Sequence, residues 1–133
     1  MTGRAAIAGA LYFLVVFAAA FVIGAIRVTL VAPRTGALTA VALELPVLLA
    51  IAWAAARRLV LSRLPGATLA ERAVMGAVAF LILIPAEALL AVLAFGQTPG
   101  QFLAAFATAP GALCLAGQLG FAALPAVQRK SPE

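Results

Sequence analysis

The sequence predicts an all-α integral membrane protein built as a bundle of four spanning helices, and three observations lead there. Hydrophobic residues fill 66% of the 133 positions and charged residues only 10%, with a mean hydropathy of +1.19. That composition leaves too little polar surface for a water-soluble domain. The apolar residues also fall into stretches long enough to cross a hydrocarbon core of about 30 Å at about 1.5 Å per helical residue. Finally, the basic residues stand at the ends of these stretches and mostly on one side, which suits membrane topology better than a nucleic-acid-binding face.

The first span covers about residues 5–32. Arg4 before an apolar run gives it the start of a secretory leader, but the run far exceeds the roughly 7–15 residues of a leader's apolar segment, so it reads as a retained span. "APRTG" is expected to close it, because Pro33 cannot continue the hydrogen-bond ladder and Gly36 tolerates a turn. The second span occupies about 37–56. It is followed by "RRLVLSRLPGATLAER", in which Pro65 and Gly66 mark a loop and Thr68, three residues before Glu71, has the spacing of a helix-capping pair. The third span then covers about 69–95.

The remaining stretch is long for one helix and is interrupted at Pro110 and Gly111. Division there gives a short interfacial segment over about 98–109, capped by Thr98 with Pro99 in the first helical position, and a fourth span over about 110–127. Phe102, Leu103 and Phe106 would share one face of the short helix, which would lie at the membrane surface. The competing reading is one kinked span from Gln101. With four spans, Arg4, Arg57, Arg58, Arg63, Arg72, Arg129 and Lys130 flank one side, while Arg34 alone stands outside the apolar runs on the other. The positive-inside rule then places both termini in the cytoplasm.

Polar groups inside the spans are the candidate site. Arg27 precedes Pro33 by six residues and Glu44 follows Gly36 by eight, so both sit about 9–12 Å inside the same end, on helices joined by a short turn. Glu87 lies eight residues before Phe95, and Gln118 eight after Pro110, at comparable depth. Each span thus contributes one strongly polar group to a single layer. An ion in a span costs about 2.5–3.5 kcal/mol on insertion scales, so these groups are expected to face partners or water rather than lipid. Arg27 can neutralise one carboxylate, and the other is then favoured in its proton-bound form, without the sequence deciding which of Glu44 and Glu87 holds the proton. Pro46 and Pro85, each two residues from a glutamate, free backbone carbonyls near the layer. The layer is open to three roles: a structural clasp, a proton or ion path, or a ligand- or partner-binding site.

Other positions carry less. Arg34, Arg57, Arg58 and Arg63 suit lipid phosphates or an acidic partner, as any basic membrane loop does. Ala116 and Gly120 have the spacing that permits close helix approach. Tyr12 and Trp53 serve as packing or interface anchors, and Cys114, the only cysteine, reads as a small buried hydrophobe. His, Asp and Asn are missing from the sequence, as are a CxxC pair and a phosphate-binding glycine loop, so catalytic triads, metal sites and cofactor chemistry lack their usual parts.

The motifs "GAIRVTLVAPRTG", "ELP", "AAARR", "PAE" and the closing "FAALP" resemble those of a family of small four-span bacterial inner-membrane proteins with no established activity. The likeness covers nearly the whole chain. It implies a bacterial inner (cytoplasmic) membrane setting and an Arg27 and Glu44 pairing, but no chemistry. The small multidrug-exporter family is similar in length and span number. Its membrane glutamate lies in the first span, where this chain carries Arg27 and no acid, so none of that family's residues transfers. The expectation is a non-catalytic accessory or assembly partner, whose own partners are the lipid bilayer and either further copies or a larger membrane complex. A small proton-coupled transporter or channel subunit using Glu87 and Glu44 is the alternative.

Overall fold

The structure, a computed structural model, describes residues 2–128; Arg129 and Lys130, which the charge pattern assigns to the basic end, lie outside the described residues. The first long helix, α1, comprises Thr2–Ile26, a π-helical stretch at Arg27–Val31 and a last turn at Ala32–Thr35. It is followed by α2 (Ala37–Arg63), α3 (Leu69–Phe95), the short α4 (Pro99–Ala105) and α5 (Ala109–Val127), with no strand among the described residues. α1, α2, α3 and α5 are each long and apolar enough to cross a membrane, making this a multi-pass integral membrane protein.

Three element ends differ from the sequence reading. α1 runs through Pro33 to Thr35, because the π-helical stretch just before the proline already shifts the ladder: the Ala32 amide donates to the Arg27 carbonyl five residues back. The break comes at Gly36 alone, whose φ of 88° and ψ of 158° fall in a region that only glycine occupies cheaply. A Gly36→Ala variant is therefore expected to lose about 1–2 kcal/mol in an SDS-titration unfolding assay. α2 continues to Arg63 rather than stopping at residue 56, since arginine and leucine are good helix formers and nothing interrupts them before Pro65. The short helix ends at Ala105, and α5 begins at Ala109 behind a cap the sequence reading overlooked: Thr108 Oγ1 accepts from the Gly111 amide. α4 and α5 are thus separate helices and not one kinked span. α4 carries a full capping box between Thr98 and Gln101, and its Phe102 and Phe106 rings meet edge to face at 5.3 Å.

Around the bundle the order is α1, α2, α5, α3, so α1 stands diagonal to α5 and α2 diagonal to α3. The two ends of the bundle pack differently. α1 buries Ala5, Ala8, Gly9, Tyr12, Phe13 and Val16 and nothing beyond, while towards the other end only scattered residues such as Ala40 and Val41 of α2 and Ala91 of α3 are buried. The buried α1 side chains meet Ala52 and Ala56 of α2, Met75, Ala79 and Leu83 of α3, and Phe121 of α5. Leu64 and Ala67, in the loop that joins the diagonal helices, are buried beneath the same end.

Small residues make this close approach possible. A Cβ on Gly76 would run into the Ala122 backbone carbonyl, and one on Gly9 would come within 2.6 Å of the Met75 carbonyl oxygen. Ala116 and Gly120 are not the point of contact. Ala116 is exposed, and a Cβ on Gly120 would meet only the Leu49 side chain at an ordinary 3.5 Å.

Tyr12 crosses the diagonal. Its ring stacks on Phe121 at 4.4 Å, and its hydroxyl donates to the Phe121 carbonyl at 2.7 Å. That carbonyl would ordinarily receive the amide of residue 125, which is a proline and has none. Tyr12 supplies the missing donor, so Tyr12→Phe is expected to cost about 1–2 kcal/mol in the same unfolding assay by leaving a buried carbonyl unsatisfied.

Candidate functional site: a polar cavity in the loosely packed half

In the other half of the bundle the long helices leave a cavity of about 440 Å³, partly open. Its floor is Val16, Ala52, Leu83 and Phe121, the upper edge of the packed core. Most of its wall is aliphatic, but Arg27, Glu44, Glu87 and Gln118 all line it. The structure brings the four polar groups of the sequence reading into one space and divides them into two pairs.

The first pair joins α1 to α2. Arg27 lies nine residues before Gly36 and Glu44 eight after it, about 13 and 12 Å along their helices, so extending α1 through Pro33 leaves the two nearly level. Arg27 Nε and Glu44 Oε2 form an ion pair. Glu44 retains 10% side-chain exposure and Arg27 28%. The π-helical stretch begins at Arg27 itself, and Thr29 within it donates its hydroxyl to the Ala25 carbonyl at 2.7 Å. Such a widened turn rotates the residues that follow it, a signal that Pro33 and Thr29 carry only faintly in sequence.

The second pair joins α3 to α5. Gln118 Nε2 donates to Glu87 Oε2, while Gln118 Oε1 is buried without a hydrogen-bond partner. No basic side chain forms a salt bridge with Glu87 among the described residues. The cavity therefore holds one cation and two carboxylates, and the cation is engaged by Glu44. Cys114 also lines this space and is half-buried.

A polar collar at the packed end was not foreseen. Arg4 Nη2 pairs with Glu71 Oε2 at 2.8 Å, linking α1 to α3. Arg72 donates to the Gln128 carbonyl just past α5, and Gln128 Nε2 donates to the Trp53 carbonyl at 3.3 Å, linking α5 to α2. Trp53 in turn lies under the Arg57 guanidinium, 5.6 Å from the ring centre. In sequence these positions read as topological charge and a helix cap. The one available signal was Glu71, a lone acid among arginines, whose carboxylate reaches Arg4 while the Thr68 hydroxyl accepts from its amide. Arg58 and Arg63 are exposed at the same end, and Arg34 is exposed at the end of α1 by the Gly36 corner.

No family model matches the chain, and no curated protein or solved structure matches it either.

Proposed function

We propose that this integral membrane protein is a non-catalytic accessory component that holds a small amphipathic guest in its cavity. One observation carries the reading: Arg27, Glu44, Glu87 and Gln118, in two contacting pairs, line a space of about 440 Å³ that neither pair fills. A purely structural clasp has no need of that volume, which falls in the range of small-molecule pockets, about 300–1,000 Å³, with mostly apolar walls and a few convergent polar groups. The packed end, with Arg4, Arg57, Arg58, Arg63 and Arg72, faces the cytoplasm by the positive-inside rule, in the bacterial inner membrane that the motif resemblance implies. A green fluorescent protein fused to the C-terminus is then expected to fluoresce, and alkaline phosphatase at the same point to be inactive; the reverse pattern contradicts the orientation.

The test of the guest is native mass spectrometry of protein released from its own membranes. A reproducible bound mass of a small molecule is expected, and Ala20→Leu, which adds bulk to the cavity wall without loss of helix propensity, should remove it. Protein that carries no such mass, or a mass indifferent to Ala20→Leu, counts against the reading.

The asymmetry of the bundle favours a second reading, a proton-coupled carrier. One half is tightly packed and the other holds the cavity, and the π-helical stretch, Pro46 and Pro85 all lie close to the polar layer, where a helix bends most readily. This reading expects pH-driven uptake of an amine into vesicles that disappears in folded Glu87→Gln protein; uptake no greater than in empty vesicles removes it.

A further inference from the structure

The charge balance of the cavity says which guest it takes. We infer that the site receives a monocationic amphiphile bearing N–H donors, an alkyl- or arylammonium, with its head at Glu87 and Gln118 and its apolar body along the aliphatic wall; this rests on the cavity-binding reading above. Arg27 and Glu44 cancel each other by direct contact. Glu87 touches only an amide, whose hydrogen bond supplies no compensating charge, and Arg27, already in contact with Glu44, acts on it only from across the cavity. A carboxylate in an apolar surround is neutralised by a proton or by a cation that fits beside it, and an ammonium does so while its body fills the cavity.

The hydrogen-bond inventory points the same way. With Gln118 Nε2 committed to Glu87, the Gln118 Oε1 is an acceptor that is buried without a partner. A carboxylate has acceptor sites beyond the one that Gln118 fills. Two neighbouring acceptor groups suit the N–H groups of an ammonium. They do not suit a quaternary nitrogen, which has the charge and no donor, or a carboxylate, which brings more acceptors. A bare metal ion would leave most of the cavity unfilled, and among the described residues no three His, Cys, Asp or Glu side chains gather to hold one.

The experiment uses the full chain in phosphatidylcholine nanodiscs, so that anionic lipid does not attract cations, with empty discs as the partition control. Saturable binding of one decylammonium per chain is expected. Decyltrimethylammonium, decanol and decanoate should each bind about tenfold more weakly or worse, the scale of one hydrogen bond to a charged group. Glu87→Gln should weaken decylammonium binding about tenfold and leave decanol unchanged. Equal binding of decylammonium and decanol to the unaltered protein, or a preference for decanoate, overturns the inference while leaving the cavity reading intact. Absence of saturable binding by all of these probes overturns both. The headgroup series on the unaltered chain decides the matter even if Glu87→Gln fails to fold.

Discussion

Arg27→Ala is expected to lower the unfolding free energy by about 2–3 kcal/mol and to cut the amount of protein that accumulates in the membrane, and Glu44→Ala should do the same. Each removes one member of an ion pair and leaves the other charge in a poorly solvated place. The size is set slightly below the roughly 3–5 kcal/mol typical of a fully buried pair, because Arg27 keeps 28% of its side-chain surface exposed. The double variant removes both charges together and should recover at least half of either loss, since no unpaired ion remains. SDS-titration unfolding of the four proteins measures this coupling. Strictly additive losses would mean that the two side chains act independently, despite lying in contact.

Gly76→Val is expected to cost about 3 kcal/mol or more, among the largest single losses available in this chain. Gly76 is buried where α3 meets α5, and any Cβ there runs into the Ala122 backbone carbonyl, which cannot swing aside as a side-chain tip can. The helices must separate, and separation also loosens the Tyr12 and Phe121 stack on which the cavity rests. Gly117→Val offers the contrast. Its Cβ would meet only the end of Leu45, a flexible side chain beside the cavity, so a smaller loss of about 1 kcal/mol is expected.

Much of the architecture was legible in the sequence because membranes simplify the reading: length and apolarity mark a span, and glycine, proline and arginine mark its ends. Where the reading missed, a rule for soluble helices met a local accommodation. Pro33 reads as a stop, yet the π-helical stretch ahead of it lets α1 continue. The Arg27 and Glu44 pair followed from counting residues about a short turn, and the count survived a change in where that turn lies. The pairing of Glu87 with Gln118 did not follow from counting, since depth places groups in one layer without saying which helices adjoin. That depends on the ring order of the bundle, in which α3 and α5 are neighbours while α2 and α3 stand diagonal. The cavity was illegible for a related reason: an empty volume is set by how far helices diverge, and no single residue encodes it. The Tyr12 bond to the Phe121 carbonyl was hidden too, because Pro125 creates the need for it on a helix more than a hundred residues away.

The central claim, an accessible cavity in the loosely packed half of the bundle, is tested most directly at Cys114, the only cysteine in the chain and part of the cavity wall. Methyl methanethiosulfonate, a small apolar thiol reagent, should modify Cys114 in folded protein in nanodiscs, and Ala20→Leu should slow that modification about tenfold by occupying the space the reagent crosses. Equal rates in the two folded proteins, or no reaction of the unaltered protein even in alkaline buffer that generates the thiolate the reagent needs, would contradict the account.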